Sequence, residues 1–348
     1  MDFISEDEIK KLDPKDTYHS TLNLVTQAQE AFSQSSSVSI KHSFSDIKNV
    51  IFCGMGASIY GALVLKALQG NFLNFPIEII TDYHIPSYVN HQSLVVLTSY
   101  SGTTEEVLSC ANEALTAKAK IIVLTKGGAL AEFAKENKLT SYIFDGKLNP
   151  SSVPRLGAGY TILGLLGILN QAKVISLEEK QIENAFIRIK ENLSSLEAKA
   201  KADLEKYINK IPIIIASEHL SGNAQILRNQ FNETSKTFSA YYLIPDLNHH
   251  LMEGLKFPQR SNLIFTIFNS QNYSPKIYKR IELTKQVIEK NHKQIETYTT
   301  SGATLYDDFL EVLIYGSFLT FYLSIYYKQN PATNPWVDYF KKELELQI

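Results

Sequence analysis

The sequence predicts an α/β fold built from two units, each a parallel sheet flanked by helices in three layers. Three observations carry this. Short apolar runs alternate with amphipathic stretches from residue 48 onward, the same order of runs and loops recurs in the second half, and loops rich in glycine and hydroxyl residues follow two runs of the first half. Such alternation sets strands parallel with helices on both faces, and ligands then gather beyond the carboxyl ends of the strands.

Along the chain, residues 1–45 read as a helical arm. Leu22, Leu24, Val25, Ala28 and Phe32 recur on a rough helical period, and a serine-rich turn follows at 33–37. The first unit, 46–170, has strands at 50–53, 77–81, 94–97, 120–125 and 141–144. Its apolar region 158–169 carries three glycines and predicts a buried helix; no stretch of about twenty apolar residues, the length that spans a bilayer, is expected. The charged segment within 171–206 predicts a connecting helix with a solvated face. The second unit, 207–330, has strands at 211–216, 238–244, 263–268 and 294–299, a helix from Ala224 through Asn232, and then a tail at 331–348.

Composition bounds the function. With 348 residues, 44% apolar and 20% charged, the chain can bury two cores. A net charge of −2 argues against a nucleic-acid or anionic-membrane surface as a partner. Cys53 and Cys110 lie in apolar segments without a second ligand at metal spacing, which predicts reduced core thiols. The N-terminus, with Asp2, Glu6, Asp7 and Glu8, lacks the pattern of a signal peptide, so a cytoplasmic protein is expected.

Residues 99–106, reading Ser-Tyr-Ser-Gly-Thr-Thr-Glu-Glu, sit between an apolar run and an amphipathic stretch. A strand delivers the chain to the sheet edge, Gly102 permits a tight turn, and the next helix aims unpaired N–H groups and its positive dipole end at one spot. Ser99, Ser101, Thr103 and Thr104 can then bond phosphate oxygens. The lysine of a Walker loop is absent, which suits a small sugar phosphate better than a nucleotide. Serine and threonine after a strand more often make only a turn and a helix cap. A second loop, Gly54-Met55-Gly56-Ala57-Ser58 after the run 50–53, favours the phosphate reading by adding Ser58 to the ring.

Together with Pro154-Arg155, Asn232-Glu233, Leu247-Asn248-His249 and the C-terminal Val337, Asp338 and Lys341, these loops resemble the bifunctional phosphoglucose/phosphomannose isomerase family. The resemblance runs from about residue 48 to the C-terminus. It implies two SIS-type (sugar-isomerase) domains and interconversion of glucose 6-phosphate or mannose 6-phosphate with fructose 6-phosphate. The phosphate falls to Ser58, Ser99, Ser101 and Thr104, with weaker roles for Gly56, Ala57, Gly102, Thr103 and Glu105. Arg155, Glu233, His249 and Lys341 match the catalytic side chains, the tail returns to the active site, and the imidazole is expected from the neighbouring subunit of a homodimer. The chain departs from the family pattern at Ala57, Ile59, Thr103 and His250, around the sugar pocket. A non-catalytic sugar-phosphate regulator and an amino-sugar phosphate isomerase are the alternatives. About 45 acidic N-terminal residues are too few for the DNA-binding segment of the former, and the glutaminase cysteine and domain found with the latter are missing.

The chemistry accounts for these residue types. Aldose–ketose isomerisation moves a proton between adjacent carbons through an enediol(ate), so one base must remove and return it, and Glu233 at a helix end is placed for that. Arg155 offers a permanent charge in a planar fork to the developing oxyanion. Ring opening needs one proton given and one taken; a histidine titrates near neutral pH, which fits His249, and Lys341 can donate or polarise at the other position. His250 competes with His249. Taken singly, each is more often an ordinary surface or structural residue. No metal or organic cofactor is required.

Overall fold

The computed structural model describes residues 6–345. Three short helices come first: α1 (Glu6–Leu12), α2 (Thr17–Leu22) and α3 (Leu24–Ser35). The first sheet contains β1 (Asn49–Cys53), β2 (Ile77–Ile80), β3 (Ser93–Ser99), β4 (Lys120–Thr125) and β5 (Thr140–Ile143), with α4 (Tyr60–Gln69), α5 (Glu105–Thr116) and α6 (Gly128–Glu136) between them. Then come α7 (Ala158–Gln171) and α8 (Glu179–Asp203). The second sheet contains β6 (Ile211–Ser217), β7 (Ala240–Ile244), β8 (Leu263–Asn269) and β9 (Gln294–Thr299), interleaved with α9 (Ser221–Glu233), α10 (Leu251–Gly254) and α11 (Pro275–Lys290). The chain continues through α12 (Leu305–Tyr326) and α13 (Pro335–Glu345).

Both sheets are parallel throughout, in the orders β2-β1-β3-β4-β5 and β7-β6-β8-β9. In each, the first strand lies between its two successors, so the strand order reverses there and opens a crevice at the carboxyl ends. Side chains of the first sheet alternate as a pleat requires. Val50, Phe52, Leu94, Val96, Ile122 and Leu124 face the larger core, while Ile51, Cys53, Val95, Leu97, Ile121 and Val123 face α5 and α6. The helix α4 packs on α7 on one side and on α9 on the other, and α9 packs on α12. One hydrophobic core thereby runs from the first sheet to the second, and it fixes loops of both halves relative to each other.

Three expectations need correction. The N-terminal segment is three helices, and α3 lies along α7 as a core element; Asp2 falls outside the described residues. The segment expected to be a solvated linker, α8, buries Ile182, Ala185, Phe186, Ile189 and Leu196 and packs on α12. A helix long and apolar enough to cross a membrane does exist, Leu305–Tyr326, with 94% of its apolar window buried. Asp307, Asp308 and Glu311 broke up its apolar run in the sequence, yet all three are buried.

Candidate active site

The reversal between β1 and β3 brings the two glycine-containing loops together. Ser58 Oγ, buried in the turn Gly56–Ile59, accepts the Tyr100 N–H at 3.0 Å and ties one loop to the other. Ser99 is 1% exposed; its Oγ accepts the Gly102 N–H at 3.0 Å and lies 2.8 Å from Thr104 Oγ1. Ser101 Oγ and Thr103 Oγ1 are 3.0 Å apart on the exposed rim. Thr104 caps α5 through its extended backbone, and its side chain makes no cap hydrogen bond. The first intrahelical bond, from Leu108 N to Thr104 O, leaves the N–H groups of the first turn to face the loop. Gly102 has φ +74°, and a Cβ there would stand 1.7 Å from Gly127 O, so only glycine fits.

The predicted hydroxyls therefore divide into two sets. Ser58 and Ser99 shape the cradle from below, while Ser101, Thr103 and the half-buried Thr104 line its open side. Gly56 is exposed and Ala57 buried beside them, and Glu105 accepts a hydrogen bond from Tyr83 OH.

A second cluster adjoins the cradle. The turn Pro154–Gly157 packs against Gly56–Ile59, and Gly157 lies so close to Tyr100 that a Cβ would come within 2.1 Å of its ring. This turn buries Arg155 to 2% exposure. Its Nε donates to Thr234 Oγ1 at 2.9 Å, its Nη1 to Glu233 Oε2 at 3.3 Å, and its Nη2 to the Pro331 carbonyl. Burial pulls the guanidinium below its usual value and the Glu233 carboxylate opposes that, leaving a charged arginine. Glu233 is the last residue of α9, and its side chain stays 32% exposed, open to a ligand. Asn334 is satisfied when its Oδ1 accepts from Arg155 Nη1 at 3.1 Å and its Nδ2 donates to Thr333 O at 2.8 Å and Glu233 O at 3.3 Å. The phenol of Tyr60, fully buried on α4, has its pKa raised by burial and by the charge of Glu233.

Arg155 and Glu233 are thus brought together, and both lie beside the Ser58 loop. His249 and Lys341 do not join them within one chain. His249 ends the exposed turn Asp246–His249 after the edge strand β7, next to His250, which bonds Asp246 at 3.3 Å. Lys341 is exposed on α13, whose residues 335–342 are all exposed. Sequence reasoning missed Thr234, Lys236 and Asn334. The only signals were their adjacency to Glu233 and the turn-forming run Asn330-Pro331-Ala332-Thr333-Asn334-Pro335.

The corresponding crevice of the second sheet is closed. His219 Nε2, Ser270 Oγ and Asn272 Nδ2 all meet Asp308 Oδ2, at 2.9, 2.5 and 2.9 Å, and His219 and Asp308 are buried. These bonds hold the Asp308 carboxyl below its usual value against the opposing effect of burial.

Two family models match the chain, one over each sheet. Residues 43–144 match the SIS domain model, and residues 196–344 match the bacterial phospho-glucose isomerase C-terminal SIS domain. Among solved structures, a hypothetical protein from Thermus thermophilus superposes with TM-score 0.73 at 15% identity, over 98% of this chain and 94% of that one. The C-terminal domain of glucosamine-fructose-6-phosphate aminotransferase from Francisella tularensis gives 0.69 at 11% identity, over 88% and 95%. Fold and site together define a tandem-SIS protein. A bifunctional phosphoglucose/phosphomannose isomerase from Caldicellulosiruptor bescii is 28% identical over 342 residues, covering 94% of this chain and 98% of its relative. One from Aquifex aeolicus is 29% identical over 244 residues, covering 70% and 73%. The chain thus carries an SIS domain and a bacterial phospho-glucose isomerase C-terminal SIS domain, and over nearly its whole length it is similar to bifunctional phosphoglucose/phosphomannose isomerases.

Proposed function

We infer that the chain is an aldose–ketose isomerase that interconverts glucose 6-phosphate and/or mannose 6-phosphate with fructose 6-phosphate. The observation that carries this is the pairing of an open carboxylate, Glu233, with a buried arginine beside an uncharged hydroxyl cradle. In this reading the Ser58, Ser99, Ser101 and Thr104 loops and the α5 N-terminus hold the phosphate. Glu233 shuttles the proton between C1 and C2, and the Arg155 fork stabilises the enediolate oxygen. Ring opening falls to His249 and Lys341. The exposed position of His249, away from Glu233 of its own chain, supports a homodimer in which the imidazole crosses between subunits. The domains of this reading are 46–170 and 207–330, with 171–206 connecting them.

Assayed separately by coupled detection of fructose 6-phosphate, at least one of the two aldose phosphates is expected to turn over. Absence of product from both would remove the isomerase reading. Calorimetric titration of fructose 6-phosphate into the double variant Ser99→Ala, Thr104→Ala is expected to show affinity reduced at least tenfold, since one lost hydrogen bond to a charged group is worth about 1.5–3 kcal/mol. Unchanged affinity would place the phosphate elsewhere.

A further inference from the structure

Lys236 lies three residues beyond the proposed base, and nothing in the chemistry above uses it. Its Nζ donates to three backbone carbonyls: Glu233 O at 3.0 Å, Thr234 O at 3.0 Å and Asn330 O at 2.7 Å. The first two belong to the end of α9, where a helix presents unpaired carbonyls and favours a cation. The third belongs to the 330–334 turn. Arg155 grips that turn through Pro331 O, and Asn334 closes it onto Arg155 and Glu233 O.

We propose that Lys236 is a positioning residue for isomerisation: its ammonium clasps the 330–334 turn to the end of α9 and thereby fixes the Glu233 carboxylate beside Arg155. The proposal rests on the isomerase reading for the role of Glu233. Three donors for three acceptors is a stoichiometry that only the protonated amine satisfies, because the neutral amine keeps two N–H bonds. The charged groups facing Lys236 are Arg155 from the 154–157 turn and Glu233 from α9, with the Tyr60 phenol of α4 beyond them. Burial first, and then the Arg155 charge, bring the Lys236 pKa down to about 8, while Glu233 opposes the shift. The clasp is therefore complete below that pH and loses a donor above it.

Two measurements test this. In steady-state kinetics, wild-type kcat is expected to fall above about pH 8. Lys236→Arg, which stays charged, should move that limb upward, and Lys236→Met should lower kcat about tenfold at pH 7 with KM changed less than about twofold. An unmoved alkaline limb in Lys236→Arg, or kcat within about twofold of wild type in Lys236→Met, overturns the proposal. The second measurement needs no variant. Hydrogen–deuterium exchange of wild-type peptides covering 327–340, corrected for the intrinsic pH dependence of exchange, should show protection falling between pH 7 and 9.5; constant protection overturns the clasp. Because this readout does not depend on turnover, a chain without isomerase activity would defeat the functional reading and leave the clasp separately decided.

Discussion

Glu233→Gln is expected to retain the fold and lose isomerisation by about a hundredfold to ten-thousandfold, the range that removal of a general base produces. The amide keeps an oxygen for Arg155 Nη1, which now donates at 3.3 Å to Glu233 Oε2, so the α9 end keeps its shape. What it loses is the ability to accept a carbon-bound proton. Turnover of the purified variant within tenfold of wild type, with an unchanged circular dichroism spectrum, would rule Glu233 out as the base. The same variant tests the shared site. Mixed with His249→Ala chains under conditions of subunit exchange, it should form dimers with one doubly defective site and one intact site, and activity should return. No recovery after demonstrated exchange puts both residues in a site of one chain.

Arg155→Met should damage both stability and activity, for separable reasons. The side chain is nearly inaccessible and serves three partners on three segments, Thr234, Glu233 and the Pro331 carbonyl. Removing one side of a buried ion pair costs about 3–5 kcal/mol, and the partial exposure of Glu233 places the loss near the lower end, about 3 kcal/mol. Urea denaturation measures it; a loss under about 1 kcal/mol would contradict the structural role, because surface substitutions away from special features stay within about 0.5 kcal/mol. Arg155→Lys keeps the charge but loses the planar fork, so it is expected to recover stability in part and activity little.

The parts of this molecule that were legible in the sequence share a physical cause. Strands buried on both faces read as apolar runs with sharp ends, which is why 120–125 was placed without error; the edge strand 294–299, mostly polar, shows instead an alternation of polar with apolar or aromatic residues. The turn after β3 was legible because glycine at Gly102 and the run of hydroxyls around it interrupt both helical and strand patterns. Glu233, Arg155 and His249 came from resemblance, since a single charged residue at a helix end carries no local signal of its role. Lys236 and Asn334 were illegible because the partners that give them a role, Asn330 O and Glu233 O, are backbone carbonyls 94 and 101 residues away, and a carbonyl has no sequence identity. The length of the apolar helix α12 was missed for a related reason. Asp307, Asp308 and Glu311 look like solvent-facing charges until Arg188, His219 and Ser301 are seen to meet them.

That helix has a consequence for how the chain is made. Alone, α12 is a 22-residue segment apolar on every side, a poor candidate for residence in water. The helices that pack around it, α2, α3, α8 and α9, all precede it in the chain. During synthesis, at about 5–20 residues per second, its binding groove is therefore translated before the segment itself leaves the ribosome. The Arg188 and His219 side chains that receive its acidic first turn are made earlier too, so the charged end has partners in the groove as it emerges. Loss of α8, through proteolysis or an in-frame deletion, would remove one wall of that groove and turn the same segment into an aggregation nucleus or a mistaken membrane anchor.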